Sequence, residues 1–439
     1  MKAFKIKNGL SAKRYLGNST TLSGSTIDLS LGSMFSTTLS SDPAYTFTNP
    51  PASGNAQAFS VEVTGGTTTF TNDAFATTLY TGNATSQTIT NNFDLSTNGG
   101  MIWFKSRTNT YNHVIFDTER WTSGDGNGLF PNADNAEGNI NELTSFNTDG
   151  FGVTSSGYIN DTNNMVAWSF KKQAKFFDIV TWTGNGVSGR TISHSLNSEV
   201  GFYVVKRLDA SGDWRTYHRV SDSASNPHIA YLNGTSGGVF ESDKLTATST
   251  TFTIEGGFNG DFNSPNQTYV AYLFAHDTAS DSRIKCGSYT GDGGAGTTEI
   301  NLGWQPEFVM IKAAGAYADN WYMLDTTRGI GTDPNAANDA AVYSNLTNAE
   351  TNVGVIDLTN AGFKTTLYSN ANVSGRTYIY MAIRASAATD SAITWPSSVK
   401  WPSGVAPTTP ASGTKDLFTF LTTDGGTTYY GKKAAEGLA

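Results

Sequence analysis

The chain has 439 residues, long enough for two to four domains, and its formal net charge at pH 7 is −9. This acidic balance argues against a nucleic-acid partner, which needs a basic surface. Charged residues make up only 15% of the chain, which argues against a charge-driven disordered polymer and a bundle of exposed helices.

Thr, Ser, Asn and Gly dominate, and the aromatic residues, at 12%, sit in short alternating segments. This composition predicts an all-β fold. The N-terminal MKAFKIKNGLSAKRY has lysines but no apolar core, so we expect synthesis in a cytoplasm without a secretory signal. No apolar run approaches the roughly 18 residues of a membrane helix, and membrane insertion is not expected. Cys286, the single cysteine, is expected to be a small buried hydrophobe.

Two strands are predicted near the N-terminus, within residues 1–75. Each shows apolar residues at every second position, the period of a strand with one buried face. The apolar sets are Ile27, Leu29 and Leu31 in STIDLSLG, and Phe59, Val61 and Val63 in AFSVEVT.

The central part of the chain repeats itself three times, with units about one hundred residues apart. Five landmarks recur in order: a Thr-Gly-Asn/Asp turn, an apolar strand ending in Lys, a ring residue, a Phe that opens a strand, and an apolar closing strand. They lie at Tyr80, Trp182 and Tyr289; Lys105, Lys206 and Lys312; His113, Trp214 and Trp321; Phe151, Phe252 and Phe363; and residues 165–170, 269–274 and 378–383. The closing strands are nearly continuous in apolar character, as expected for strands covered on both faces.

We therefore predict three tandem β-sandwich repeats, over residues 76–176, 177–280 and 281–387. A jelly-roll or lectin-like sandwich is the leading prediction, and an Ig-like sandwich is the alternative.

Two motifs imitate nucleotide-binding loops. Gly184, Gly186 and Gly189 have the G-x-G-x-x-G spacing, which returns at 291–296. A pyrophosphate cradle needs a helix after the glycines, but alternating strand-like residues follow both copies. The first repeat also lacks two of the three glycines. We interpret the motif as a turn, and reject the P-loop imitation at 426–433 because no apolar helix follows.

The flanking segments carry a resemblance. STIDLSLGSMF, YTFTNPPASGNAQAFSVEVTGG, ITWPSSVKWPSGVAPT and DLFTFLTTDGGTTYYG resemble a β-rich module of tailed-bacteriophage virion proteins, and the repeats resemble modules of phage tail and fibre proteins. The resemblance implies a discontinuous platform domain, 1–75 plus 388–439, into which the repeats are inserted. TTDGGTT also predicts a hairpin. After YYG this chain departs from the family, so either its last strand ends early or its tail makes a contact of its own.

Catalytic patterns are missing from the sequence. The five histidines lack metal-ligand spacing, no nucleophile elbow occurs, and no recurring carboxylate pair is seen. We expect no enzyme activity, no cofactor and no metal, although Asp125, Asp209, Asp213 and Asp292 lie in Gly/Asn-rich loops that leave calcium open. His218, which replaces Asp117 and Asp325 of the other repeats, is expected at the surface.

Six residues are candidates for ligand contacts. Asp117 with Arg120, and Asp325 with Arg328, recur as D-T-x-R; they predict either polar contacts to a ligand or a structural ion pair, and the ion pair is favoured. Trp214 and Trp321 are the first choices for stacking on a sugar ring, although burial in the core is the favoured alternative.

The resemblance implies a non-enzymatic virion structural protein, exposed on the particle and most simply a tail fibre or tail-associated appendage. The expected partners are other virion proteins, further copies in a homotrimer, and a glycan of the host surface. A capsid-surface fibre or decoration protein is the alternative location. A tailspike-like glycan depolymerase is the alternative of another class.

Overall fold

The computed structural model describes most of the chain after residue 19, and every structural statement below concerns these residues. They are 20–22, 25–38, 45–53, 55–64, 74–122, 126–154, 157–220, 222–223, 226–236, 239–240, 245–254, 262–279, 282–293, 298–315, 317–330, 339–366, 370–385, 393–402, 404–407, 410 and 414–438. The chain divides into two compact units, Met1–Thr71 with Ala387–Ala439, and Asn72–Ser386.

The described residues form 36 strands, numbered here in chain order, and one 3-10 turn at Asn370–Asn372. The first five are β1 (Thr20–Thr21), β2 (Thr26–Asp28), β3 (Met34–Thr38), β4 (Thr46–Thr48) and β5 (Gln57–Thr64). Repeat 1 contains β6 (Phe75–Thr81), β7 (Gln87–Thr90), β8 (Gly100–Ser106), β9 (Val114–Asp117), β10 (Asn127–Gly128), β11 (Gly138–Asn139), β12 (Leu143–Phe146), β13 (Gly150–Val153) and β14 (Asn164–Lys171).

Repeat 2 contains β15 (Phe177–Thr183), β16 (Arg190–Ser193), β17 (Glu199–Arg207), β18 (Arg215–His218), β19 (Asp222–Ser223), β20 (Asn226–Tyr231), β21 (Val239–Phe240), β22 (Leu245–Ala247), β23 (Thr251–Ile254) and β24 (Thr268–His276). Repeat 3 contains β25 (Ile284–Thr290), β26 (Glu299–Asn301), β27 (Pro306–Ala313), β28 (Tyr322–Asp325), β29 (Asp339–Tyr343), β30 (Thr351–Val353), β31 (Ile356–Thr359), β32 (Gly362–Thr365) and β33 (Thr377–Arg384). The last three strands are β34 (Val399–Lys400), β35 (Lys415–Thr422) and β36 (Tyr429–Leu438).

The discontinuous unit is built on a six-stranded sheet in the order β1-β3-β5-β35-β36-β34, beside a parallel β2–β4 pair. The buried face predicted for β5 is confirmed at Phe59, Val61 and Val63. The buried face predicted in STIDLSLG is found at Ile27 and Leu29 but not at Leu31. Leu31 is 65% exposed, because β2 ends at Asp28 and the chain turns there.

The predicted hairpin is confirmed as the antiparallel pair β35–β36. Since β36 continues to Leu438, the alternative in which the last strand ends early is wrong.

The three repeats share one arrangement of sheets. Each has a larger sheet that begins with the same four-strand order, β6-β14-β8-β9, β15-β24-β17-β18 and β25-β33-β27-β28. Each also has a three-stranded sheet, β7-β13-β12, β16-β23-β22 and β26-β32-β31. The all-β class and the sandwich character are therefore confirmed, while the choice between jelly-roll and Ig-like topology stays a prediction.

Both faces of the larger sheets are buried. In β8, Ile102 and Phe104 point into the core of repeat 1, whereas Met101 and Trp103 belong to a second core that all three repeats share. Ring contacts cross between repeats in this shared core, from Phe170 to Phe274 at 5.5 Å and from Phe75 to Phe308 at 5.4 Å between centroids. This explains why these strands lack the alternation of a half-exposed sheet.

The repeated glycine motif is a turn between strands. Residues after Gly189 form β16 and not a helix, so the turn interpretation is confirmed at this copy; Gly296 lies outside the described residues. A Cβ at Gly82, Gly184 or Gly291 would collide with the backbone carbonyl oxygen of Asp161, Ser264 or Val373 respectively. The glycine common to all three turns is therefore required by close approach of the closing loop.

Candidate functional site

Both D-T-x-R motifs form buried ion pairs that close a turn. The Nε of Arg120 donates to Asp117 Oδ2 at 2.7 Å, while Asp117 Oδ1 accepts the backbone N–H groups of Glu119 and Arg120 at 3.0 Å. Arg328 pairs with Asp325 in the same way, and its backbone N–H donates to Asp325 Oδ1 at 2.9 Å. The favoured interpretation as structural ion pairs is confirmed, and the contacts these side chains make are to the chain itself.

The first ion pair also joins repeat 1 to repeat 2, at interface 1–2. The hydroxyl of Tyr272 in repeat 2 donates to Asp117 Oδ2 at 2.6 Å, and Arg120 Nη2 lies 3.1 Å from the same hydroxyl. Arg120 pairs with Glu137 as well. Burial raises the pKa of Tyr272 well above its usual value, so the phenol keeps its proton and remains a donor to the carboxylate.

The second ion pair joins repeat 3 to repeat 1, at interface 3–1. Trp168 Nε1, from repeat 1, donates to Asp325 Oδ2 at 2.9 Å, and the guanidinium of Arg328 lies 5.0 Å from the centre of the Trp168 ring. Nearby, Glu350 accepts two hydrogen bonds from Arg107, at 2.9 and 2.6 Å. Trp168 occupies the position in β14 that Tyr272 occupies in β24.

The third interface, 2–3, carries a histidine where the others carry Asp. His218 Nε2 lies 3.0 Å from the backbone carbonyl oxygen of Tyr380 in repeat 3, and the residue is only 3% exposed. The predicted surface position of His218 is therefore wrong. Its strand, β18, belongs to a larger sheet whose second face packs on a neighbouring repeat. The sequence of a single repeat does not indicate that contact.

The two candidate tryptophans also lie at these interfaces. Trp214 Nε1 donates to the carbonyl oxygens of Phe130 at 2.9 Å and Ala133 at 3.0 Å in repeat 1, and Trp321 Nε1 donates to that of Tyr231 at 2.9 Å in repeat 2. Their exposures are 0% and 2%. Neither ring presents a face on which a sugar would stack, so the structure corrects this choice in favour of the core alternative.

The repeated lysines have a role that the sequence did not reveal. Lys105, Lys206 and Lys312 are completely buried and donate to backbone carbonyl oxygens. Two of them reach the preceding repeat, Lys206 to Asp134 at 3.3 Å and Lys312 to Thr235 at 2.6 Å. Burial lowers the pKa of each lysine to about 8. In the sequence, this role is indicated by the Lys that ends an apolar strand in each repeat.

A buried asparagine holds the glycine turn in each repeat, and sequence reasoning missed it. Asn160 Nδ2 donates to the carbonyl oxygens of Thr85 and Thr154, and Asn263 and Asn372 bond equivalent turns. All three are at most 2% exposed. The signal was an Asn four or five residues before each closing strand, at a place where the repeats otherwise differ.

Together these contacts form a closed ring in which repeat 1 meets repeat 2, repeat 2 meets repeat 3, and repeat 3 meets repeat 1. The spaces left in the shared core are small: two cavities of about 10 Å³ each, lined by apolar residues that include Phe202 and Met310. A space of that size admits about one water molecule, so neither of these two cavities, as the described residues line them, has room for a substrate.

The remaining loop candidates are engaged in pairs. Asp209 pairs with Arg207 at 2.9 Å, Asp213 accepts from Asn233 and Asp292 from Asn372, both at 2.8 Å, while Asp125 lies outside the described residues. Within the described part of the chain, no group of three or more His, Cys, Asp or Glu side chains is arranged to hold a metal ion. The same part contains no helix that is both long and apolar enough to span a membrane.

Comparison with known proteins gives one family match. A family model described as Domain of unknown function (DUF7483) matches residues 71–386, which contain all three repeats. No curated protein and no solved structure matches the chain.

Proposed function

The chain belongs to the family of the domain of unknown function DUF7483, and we propose that it is a non-enzymatic structural protein of a tailed-bacteriophage virion. The proposed role is a tail fibre or tail-associated appendage. Its partners are other virion proteins, and a glycan of the host surface is the proposed receptor. The resemblance of the segments around the repeats to phage virion modules supports the viral assignment.

The observation that carries the structural role is the closed ring. The polar side chains of the D-T-x-R motifs, among them Asp117, Arg120 and Asp325, are buried and form hydrogen bonds to neighbouring repeats. Groups held this way stiffen the chain but cannot meet a substrate. A tail fibre must keep its shape when it binds a host surface, and hydrogen bonds and ion pairs between repeats provide that rigidity.

A glycan depolymerase would need two carboxyl groups about 5 to 10 Å apart beside an open groove. The carboxylates that the repeats share, Asp117 and Asp325, are 2% and 0% exposed and are neutralised by arginine. This favours the structural role over catalysis. The receptor contact is therefore assigned to exposed loops and not to the six residues first considered.

Immunogold electron microscopy on purified particles tests the location. Antibodies raised against residues 72–386 should label the tail. Labelling of the head would select the capsid-surface fibre or decoration protein instead, and absence of the protein from washed particles, checked by mass spectrometry, would refute the virion role.

Two measurements on the purified protein test the rest of the proposal. Incubation with host surface polysaccharide should leave the chain-length distribution unchanged, and shortened chains would identify a depolymerase. Light scattering after size-exclusion chromatography measures the proposed homotrimer, which would add to the threefold packing already made within one chain. A monomeric mass would remove the homotrimer and leave the virion role to the labelling experiment.

A further inference from the structure

Histidines face repeat 3 from both of its neighbours. His218 and His276 belong to repeat 2 and contact the backbone of repeat 3, while His113 belongs to repeat 1 and lies against the backbone of Tyr343 and Leu346. Interface 1–2 is held instead by the Arg120–Asp117–Tyr272 cluster and by Trp214. Both interfaces of repeat 3 therefore carry histidines, and at interface 3–1 His113 lies near Arg328 of the Asp325–Arg328 ion pair.

His218 is fixed in one neutral form. Its Nε2 faces the carbonyl oxygen of Tyr380 at 3.0 Å and so carries the proton, whereas Nδ1 accepts the backbone N–H of Val220 at 3.4 Å. A second proton would have to enter at Nδ1, where an N–H already points. Protonation therefore replaces a hydrogen bond with two opposed donors.

The other two histidines have the same constraint. His276 Nδ1 accepts the backbone N–H of Cys286, in repeat 3, at 3.2 Å. His113 Nδ1 accepts the indole N–H of Trp103 at 2.9 Å. In each case the nitrogen that would take up the proton is occupied as an acceptor, and the ring lies at an interface of repeat 3.

The charged groups around the histidines mostly oppose a second proton. Arg219 and His276 act against the His218 cation, and Lys105 and Arg328 act against the His113 cation. For His276 the surroundings are mixed, with opposing Arg219 and Lys285 and favourable Glu199 and Asp277; the Cys286 thiol and the Tyr380 hydroxyl, whose pKa values burial raises, stay neutral nearby.

We propose that repeat 3 is an acid-releasable element of the ring, so that protonation of His113, His218 and His276 opens interfaces 2–3 and 3–1 while interface 1–2 stays closed. Opening exposes apolar side chains of the shared core, including Phe202 and Met310. The proposal is independent of the virion assignment, because it rests only on contacts within the chain.

The direction of the pH effect follows from burial. Burial lowers the pKa of His218 to about 4, and it lowers those of His276 and His113 below their usual values. The open form has an ordinary histidine and binds more protons below pH 6.5, so closure weakens as the pH falls from about 6.5 to about 4. For His218 alone, the ratio of open to closed molecules should rise about 60-fold between pH 7 and pH 4.5.

The single cysteine reports directly on interface 2–3. Cys286 is completely buried, and a Cβ on Gly201 of repeat 2 would lie 2.7 Å from its sulfur. Labelling by 4,4′-dithiodipyridine, which reacts with thiols in acid, is measured on the full chain from pH 7 to pH 4.5. The rate at each pH is divided by the rate for the chain in guanidinium chloride at the same pH.

We expect this normalised rate to rise by about 60-fold or more, and the His218→Gln variant to lose most of the rise. His194→Gln is the matched control, because His194 is a buried histidine bonded within repeat 2 to the amide of Leu196, and it should keep the full rise. A rate that does not change with pH, or an equal rise in His218→Gln, would overturn the proposal.

Hydrogen exchange distinguishes release of repeat 3 from global unfolding. The amides of Asp319 and Glu350 bond across interfaces 2–3 and 3–1, to Thr235 and Arg107, and should lose protection at pH 4.5. The amides of Glu137 and Gly212 bond across interface 1–2, to Leu208 and Asp134, and should keep it. Equal loss at all four amides would contradict a selective release, whatever the cysteine shows.

Discussion

Interface 1–2 and interface 2–3 occupy equivalent places in the ring but are held by different chemistry. At interface 1–2, Arg120 and Asp117 enclose the hydroxyl of Tyr272, so a full charge pair is buried with a neutral donor. At interface 2–3, the equivalent place holds neutral His218 against a backbone oxygen. The packing around both is apolar and belongs to the same shared core.

The difference shows what a buried ion pair contributes to a repeat protein. Burying two charges costs much of the energy that their attraction returns, so the pair adds little net stability. Removing one partner, however, leaves an uncompensated buried charge. The pair therefore makes wrong alignments of neighbouring repeats costly, whereas a histidine leaves that interface responsive to protons.

The largest effect is expected from Arg120→Met. This variant leaves Asp117 buried without its guanidinium, and we expect the free energy of unfolding to fall by about 3–5 kcal/mol. Urea denaturation followed by fluorescence measures the loss. Arg207→Met is the control, since Arg207 pairs with Asp209 at a partly exposed turn and should cost less than about 1 kcal/mol. Equal losses would mean that the charge pair has no special role at interface 1–2.

Gly201→Ala tests the packing of interface 2–3 without touching a charge. The added methyl would lie 2.7 Å from Cys286 Sγ and 2.9 Å from the carbonyl oxygen of Ala275, so we expect a loss of about 2–3 kcal/mol and faster labelling of Cys286 at pH 7. Gly212→Ala is the matched control, because the nearest atom to its added methyl is 4.0 Å away. If the Gly201→Ala variant is stable and Cys286 is labelled slowly, interface 2–3 accommodates the added methyl by a small shift.

The sequence predicted the elements within each repeat better than the contacts between repeats. The closing strands and the D-T-x-R ion pairs follow from periodicity and from charges three residues apart, which are local signals. The partners Tyr272 and Trp168 lie more than a hundred residues from the aspartates they bind, and no local pattern links them. His218 was misplaced for the same reason, since its burial depends on a neighbouring repeat.

A smaller effect is expected from removing the neutral donor at each ion pair. Tyr272→Phe takes a hydrogen bond from Asp117, and Trp168→Phe takes one from Asp325. Tyr272→Phe should lower the free energy of unfolding by about 1–2 kcal/mol, because the carboxylate keeps its arginine. Trp168→Phe should cost more, because it also removes ring volume from the shared core. Chemical denaturation of the two variants side by side compares interfaces 1–2 and 3–1. A loss at only one of them would show that the ring is not closed with equal strength.

The smallest effect concerns the buried lysines, of which Lys206 reaches across interface 1–2 and Lys312 across interface 2–3. The pKa of Lys206 in the folded protein is about 8, below the usual 10.5. In the unfolded chain, Lys206 therefore keeps its proton to higher pH. The contribution of Lys206 to the free energy of unfolding should therefore rise from pH 8 to pH 10, as the folded lysine becomes neutral first. Replacing Lys206 with Met should remove about 1 kcal/mol of that rise.

Lys432→Met, at an exposed position of β36, is the control and should leave the rise unchanged. Denaturation midpoints measured at pH 8, 9 and 10 give the slope for each protein. If the Lys206→Met slope equals that of the unmodified chain, Lys206 is solvated in solution. Interface 1–2 would then be looser at its edge than its buried ion pair implies, and its contrast with interface 2–3 would rest on the Arg120 cluster alone.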